Sequence, residues 1–172
     1  NKNKLRFLDI GTGSGCIIIS IIKERENCKA TAIDKSLKAL KVAKLNAEMH
    51  HVQKKIKFLN IDVDKYLANK YDLIVSNPPY IKDIEILSLD KDVKLNEPKL
   101  ALSGGKSGLN KVFKVIKKSQ KLLKTNGKLI LEIGFKQSKE VKKYLIKNNF
   151  NQIHVFKDLS RKDRCIVSTK AN

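Results

Sequence analysis

The chain has no tryptophan, three cysteines, three prolines and only 6% aromatic residues in a length of 172. Each shortage excludes something. Cys16, Cys28 and Cys165 are odd in number and scattered, so they form neither a disulfide framework nor a metal-ligand pattern. Free thiols of this kind fit a reducing cytoplasm. No apolar run approaches the roughly 20 residues that span a bilayer. The chain opens Asn1-Lys2-Asn3-Lys4 and goes straight into an apolar segment, with no secretory leader. The missing initiator Met suggests a fragment. His50 and His51 follow Met49 and read as helix-end residues, and His154 belongs to no motif.

Acidic residues are also scarce, 17 against 37 basic ones, for a net charge of +20. A basic surface attracts nucleic acid. Yet only Arg6, Arg25, Arg161 and Arg164 are arginines, and the other 33 basic residues are lysines. Arginine is the better reader of phosphates and base edges. Abundant Lys, Asn and Ile match the codon bias of an AT-rich genome. The lysines are spread along the chain, which reads as a solvated surface that binds nucleic acid only non-specifically. From Gly108 to Thr125, Leu109, Val112, Phe113, Ile116 and Leu123 recur at helical spacing. Lys111, Lys114, Lys117, Lys118 and Lys121 fall on the other side, as on a helix with one face in water.

What the chain does have is one domain's worth of alternating strands and helices. Strands are predicted near 5–10, 29–34, 56–61, 71–76, 128–133, 152–157 and 164–168. Helices are predicted near 16–25, 37–51, 109–125 and 137–148. Alternation of this kind implies a mostly parallel sheet with helices on both faces. The last two strands are separated only by Asp158 to Asp163 and should form an antiparallel hairpin at one edge. The stretch from Ile81 to Ser107 is a long connection, and loops of that length are usually functional or disordered.

Four motifs sit at predicted C-terminal strand ends, where ligands bind in such sheets. Gly11-Thr12-Gly13-Ser14-Gly15 follows the first strand and precedes a helix. Its glycines let a ligand approach the backbone, and the helix start offers free N–H groups. The spacing is G-x-G-x-G, and Cys16 stands where a dinucleotide fingerprint has its third glycine. This favours a nucleoside without a pyrophosphate. Asp34 ends the second strand, roughly 20 residues on, where an acid accepts hydrogen bonds from ribose hydroxyls. Ser36 is the expected cap of the next helix. Asp62 and Val63 end the third strand, where an acid would accept from an adenine amine and an apolar side chain would pack on the ring.

Asn77-Pro78-Pro79-Tyr80 ends the fourth strand. Pro78 has a fixed φ, and Pro79 restricts the residue before it to an extended conformation. The Asn77 side chain and the Pro78 carbonyl then form a stiff pair of acceptors beside an aromatic ring. Such a pair holds a planar –NH2, either a carboxamide or the exocyclic amine of a base.

In this order and spacing, the glycine loop, Asp34 and Asn77-Pro78-Pro79-Tyr80 resemble the S-adenosylmethionine-dependent methyltransferases that act on amino groups. Further segments narrow the likeness. Asp92-Val93 with Glu97-Pro98 and Ala101-Leu102, then Leu131-Glu132-Ile133-Gly134 with Gln137, then Lys162-Asp163-Arg164, resemble the release factor glutamine methyltransferases. The resemblance implies a Rossmann-like class I methyltransferase fold, with seven strands, a C-terminal antiparallel hairpin and helices on both faces. It implies S-adenosylmethionine as cofactor, held by Gly11 to Gly15, Asp34, Asp62, Val63 and Asn77. The implied substrate is the glutamine of the Gly-Gly-Gln motif in bacterial release factors. Asn77 and Pro78 would accept its two N–H groups, while Pro79 and Tyr80 complete the site and Tyr80 packs on the amide. The family also carries an N-terminal helical domain that has no counterpart in these 172 residues. Two other readings use the same turn: a glutamine methyltransferase of a ribosomal protein, and an adenine-specific nucleic-acid methyltransferase. The second needs an Arg- and aromatic-rich groove or a recognition domain, and the sequence offers neither.

Overall fold

Phe7 and Leu8 are neighbours in sequence, and both are buried, but in different halves of the core. Successive strand residues point to opposite faces of a sheet, so a strand apolar on both faces needs cover on both. That requirement organises the fold, described here from a computed structural model for residues 5–25, 27–67, 70–88 and 99–172.

The strands are Leu5–Ile10 (β1), Cys28–Asp34 (β2), Ile56–Asn60 (β3), Tyr71–Ser76 (β4), Leu123–Glu132 (β5), Phe150–Lys157 (β6) and Asp163–Lys170 (β7). They form one sheet in the order β3-β2-β1-β4-β5-β7-β6. The first five pair in parallel, and β7 runs antiparallel to both β5 and β6. Helices Cys16–Glu24 (α1) and Leu37–Met49 (α2) cover one face, where Ile18, Ile19, Ile22 and Ala47 meet Phe7, Ala30 and Ala32. Two short helices follow, Asp83–Ile86 (α3) and Lys99–Leu102 (α4). Asn110–Leu122 (α5) and Ser138–Lys147 (α6) cover the other face, packing Val112, Ile116, Val141 and Leu145 on Leu8, Ile74 and Leu129. Among the described residues no helix is long and apolar enough to cross a membrane.

The predicted elements all appear, most with ends within two residues of expectation; the junction of α5 and β5 moves furthest. The helix predicted to run to Thr125 stops at Leu122. Leu123 is extended, with φ −79° and ψ 145°, and it opens β5 opposite Tyr71. Between that pair and Leu73–Lys128, β4 advances two residues and β5 five, so β5 bulges. Asn126 takes a left-handed φ of 61° within the bulge. Leu123 is fully buried. The apolar residue that continued the helical period is thus buried by a strand instead.

The long connection returns to where it started. Ile81 and Ser103 form a parallel bridge, and the Gly104 amide donates to the Ile81 carbonyl at 2.8 Å. Asp92, Val93, Glu97 and Pro98 lie outside the described residues.

Candidate active site

The chain builds β1, β2 and β3 in one direction across the sheet, then returns to add β4 on the other side of β1. The loops after β1 and β4 therefore part to opposite faces and leave a crevice between them. The Ser76 hydroxyl donates to the Ile10 carbonyl at 2.7 Å and ties these two strand ends together. Beyond them lies a cleft of about 590 Å³. Gly11 to Ser14, Asp34, Asp62, Val63 and Asn77 to Tyr80 all line it, so motifs spread over seventy residues of sequence meet in one place.

The glycine loop is fastened to the end of β2. The amides of Gly11 and Thr12 both donate to the Ile33 carbonyl, at 2.9 and 3.1 Å. The two carboxylate oxygens of Asp34 accept from the amides of Gly13 (3.0 Å) and Ser36 (2.8 Å). A carboxylate has about four acceptor sites, so Asp34 keeps capacity for a ligand while holding the loop. Ser36 caps α2, its hydroxyl accepting from the Ala39 amide at 3.2 Å. At Gly11 and Gly13 a Cβ would meet nothing within 4 Å. The space beside the loop is open to a ligand.

Gly15 stands apart. It does not line the cleft. It caps α1 at φ +81°, and a Cβ there would lie 3.1 Å from both Ala43 Cβ and Ile19 Cδ1. Its absent side chain lets α1 and α2 approach each other.

Asp62 accepts from the Asp64 amide at 2.9 Å. That bond, helped by the charge of Lys114, holds its carboxyl below the usual carboxylate range. Lys114 is itself ion-paired to Asp64, and Lys118 donates to the Asp64 carbonyl at 2.9 Å. Lys111 and Lys114 line the cleft. Two of the five lysines expected to face water on α5 are therefore part of the cleft wall. Ile61, Lys35, Ala101 and Leu102 join the wall as well. Lys35 simply follows Asp34. The approach of Ala101 and Leu102 depends on the return of the long connection, which leaves no mark in local sequence.

Asp9 is a further residue of the site that sequence patterning passed over. It is buried beneath the glycine loop and accepts from the Thr12 hydroxyl at 2.7 Å through one oxygen. Among the described residues its other oxygen has no partner. Burial pushes its carboxyl up to about 7, against the opposing bond from Thr12 and with the Asp34 charge adding to the rise. A lone acid between Leu8 and Ile10 in a central strand was the available signal.

At the other wall, Pro78 is buried and Asn77 is exposed. Neither the Asn77 side chain nor the Pro78 carbonyl is engaged by another described residue. Tyr80 is engaged at both ends. Its hydroxyl donates to Glu132 Oε1 at 3.1 Å and accepts from Arg164 Nη1 at 3.1 Å. Its carbonyl accepts from Gln137 Nε2 at 3.0 Å. Burial and the Glu132 charge push its phenol above the usual tyrosine range, with Arg164 opposing.

Residues 1–94 match the family model described as a methyltransferase small domain. The chain belongs to that family. It is 40% identical over 167 residues to the release factor glutamine methyltransferase of Lactococcus lactis, covering 96% of this chain and 61% of that protein. Against a bifunctional methyltransferase of Rickettsia felis it is 38% identical over 173 residues, covering all of this chain. The chain spans 33% of the Rickettsia protein. Among solved structures, the ribosomal protein L11 methylase of Lactobacillus delbrueckii superposes with a TM-score of 0.72 at 20% identity, over 99% of this chain and 72% of that one. This likeness is one of fold: a Rossmann-like class I methyltransferase sheet with its antiparallel C-terminal pair. The family match takes in the glycine loop, Asp34, Asp62, Val63 and the Asn77 turn, whereas the residues that grip Tyr80 lie beyond it.

Proposed function

We propose that this domain methylates the side-chain amide nitrogen of a glutamine, with S-adenosylmethionine as donor and the Gly-Gly-Gln motif of release factors as substrate. The observation that carries the reading is the free pair of acceptors, Asn77 and Pro78, in the same cleft as the glycine loop and Asp34. The names of the relatives from Lactococcus lactis and Thermodesulfovibrio yellowstonii support the choice of substrate.

The residues present suit the cofactor. Gly11, Thr12, Gly13 and Ser14 would border its methionine part, Asp34 would accept from its ribose, Asp62 from its adenine amine, and Val63 would pack on the ring. Bound there, S-adenosylmethionine supplies an electrophilic methyl group. The chain supplies orientation and charge complementarity. An amide nitrogen is a poor nucleophile because its lone pair is delocalised into the carbonyl. The Asn77 oxygen and the Pro78 carbonyl each accept one of its N–H groups, which turns the nitrogen toward the cofactor side of the cleft. Forming the N–CH3 bond would break the cofactor's S–CH3 bond and leave a neutral thioether; the N–H groups would become more acidic, the two fixed acceptors would bind them more strongly, and one proton would leave to water. Pro79 keeps the Pro78 carbonyl in place, and Tyr80 stands against the flat amide. Holding both partners in one geometry supplies much of the remaining rate.

The test is methyl transfer from labelled cofactor to release factor, a ribosomal protein fraction and duplex DNA, side by side. Label confined to the Gly-Gly-Gln glutamine is the expected result. Label in DNA, with binding that persists near physiological salt rather than falling steeply as non-specific binding does, would overturn it.

A further inference from the structure

We infer that Arg164, Glu132 and Gln137 are positioning residues for the acceptor turn, acting on Asn77 and Pro78 through Tyr80. The inference rests on the reading of that turn given above. It begins from a mechanical problem. Asn77 to Tyr80 leave the end of β4 and enter a long connection, where a single bridge between Ile81 and Ser103 replaces the sheet ladder on the far side of the turn. Asn77 and Pro78 must keep their own acceptor atoms free for a substrate. The restraint has to be applied to the next residues, and Tyr80 receives it.

Gln137 fixes the backbone. Its amide NH2 donates to two carbonyls, Tyr80 at 3.0 Å and Gly108 at 3.2 Å, and its oxygen accepts from the Gly134 amide at 2.9 Å. A carboxamide offers two donors and one acceptor oxygen, and all are in use. The packing has no slack: a Cβ on Gly108 would lie 2.6 Å from the Tyr80 carbonyl and 2.9 Å from Gln137 Nε2.

Glu132 and Arg164 fix the side chain. The Tyr80 hydroxyl is donor to one and acceptor from the other, both at 3.1 Å. Arg164 is held in turn. Its Nε and Nη2 each donate to Asp158 Oδ2 at 3.2 Å, and Nη1 also donates to the Ile133 carbonyl at 3.3 Å. A guanidinium has five donors in a rigid fork. With four of its contacts directed into the protein, and with no place in the cleft wall, Arg164 reaches the acceptor site only through Tyr80.

The direction of β7 makes this possible. Ligands meet the sheet at the C-terminal ends of the parallel strands. Because β7 runs antiparallel, its first residues enter at that same edge, and Cys165 pairs with Glu132. The Ile133 amide donates to the Arg164 carbonyl at 2.9 Å and continues the pairing beyond β5. A parallel strand in this place would have put its last residues there instead.

The test is a double-mutant cycle between Arg164→Ala and Tyr80→Phe, read as methyl transfer on whichever of the three acceptors the wild type labels. Each single change should lower kcat on the order of tenfold or more, since small misplacements of a reacting group cost up to about 10². The double variant should be little slower than the slower single one, because Arg164 works mainly through the hydroxyl that Phe lacks and keeps only its contact over the ring, 5.8 Å from the centroid. Cofactor affinity should stay at the wild-type value in all three. Arg164→Lys should not restore the rate, as it keeps the charge and loses the fork. Losses that multiply, an unchanged kcat in Arg164→Ala, or a parallel loss of cofactor affinity would each overturn the inference. A second readout needs no acceptor at all. With ¹³C-labelled tyrosine, the Tyr80 phenol should titrate higher in Arg164→Ala and lower in Glu132→Gln than in the wild type. A phenol unmoved by either would sink the inference, whereas label on an unexpected acceptor would sink only the functional reading.

Discussion

The amide of Gly13 donates to Oδ2 of Asp34 at 3.0 Å, so the carboxylate that ends β2 also fixes the loop that follows β1. A ligand gripped by Asp34 would thereby lie beside the loop, and the two halves of the proposed site are coupled.

Replacing Asp34 should for that reason cost more than one contact. Asp34→Ala is expected to weaken S-adenosylmethionine binding by about 2–3 kcal/mol, or roughly 30- to 150-fold in Kd. Asp34→Asn should also bind weakly, because its NH2 must face the N–H of either Gly13 or Ser36. Calorimetry on both variants checks this, and wild-type affinity in either would remove Asp34 from the site.

Asn77→Ala should separate chemistry from cofactor binding. Its side chain is exposed and makes no bond that holds the fold. Cofactor affinity is expected within several-fold of wild type. Methyl transfer should fall by about 10²–10³ in kcat, by analogy with losing one preorganised partner of a developing charge. Near-normal transfer would mean that the turn is structural.

Asp9 should make stability depend on pH. Its ordinary pKa is 3.8, and in the fold it rises to about 7. Between those values the folded chain holds a proton that the unfolded chain has released. Stability therefore falls as pH rises through this window and stays lower above it. Asp9→Asn has no such proton to lose. Its advantage over wild type should grow from pH 4 to pH 7 to a few kcal/mol, at about 1.4 kcal/mol per pH unit. Urea unfolding at pH 4.5 and 8 measures it. A gap between the two proteins that is the same at both pH values would show that Asp9 does not titrate in the fold.

Two glycines of one loop should behave differently. Gly15→Ala places a methyl against Ala43 and Ile19 and should destabilise by about 1–3 kcal/mol through overpacking, on top of the left-handed backbone penalty. Gly11→Ala meets open space and should lose only the backbone part, but its methyl projects toward the cleft. Unfolding curves should rank Gly15→Ala as the less stable, and cofactor titrations should rank Gly11→Ala as the weaker binder.

The contrast between these glycines shows what local sequence can carry. Gly11, Asp34, Asp62 and Asn77 were legible because each follows an apolar strand, and the alternation of elements puts all such ends on one edge. Gly15 has the same place in the pattern, but its reason lies in Ala43 of another helix, which no spacing reveals. The end of α5 was hidden for a related cause: Leu123 is apolar at a position that suits either continuation of the helix or the first residue of a strand. Lys111 and Lys114 sit on the polar side of their helix, and only the position of α5 over the sheet turns that side toward the cleft. The grip on Tyr80 was not legible: Glu132, Gln137 and Arg164 stood out only as members of segments that resemble the family, with no role attached to them. Its bonds cross 52, 57 and 84 residues, and contacts that distant have no periodicity to read.

That longest span also orders events in time. A chain leaves the ribosome N-terminus first, at about 5–20 residues per second, and domains begin to fold as they emerge. Strands β1 to β4, with the glycine loop, Asp34 and the Asn77 turn, are all made before Arg164, which lies 84 residues after Tyr80. At those speeds the interval is roughly 4 to 17 s. During it, a nascent chain would possess the glycine loop, Asp34, Asp62 and Val63 proposed to hold the cofactor, while the proposed acceptor turn lacked the restraint from Arg164. Under the role proposed for Arg164, its place at the start of β7 delays competence to modify a substrate until that strand is made.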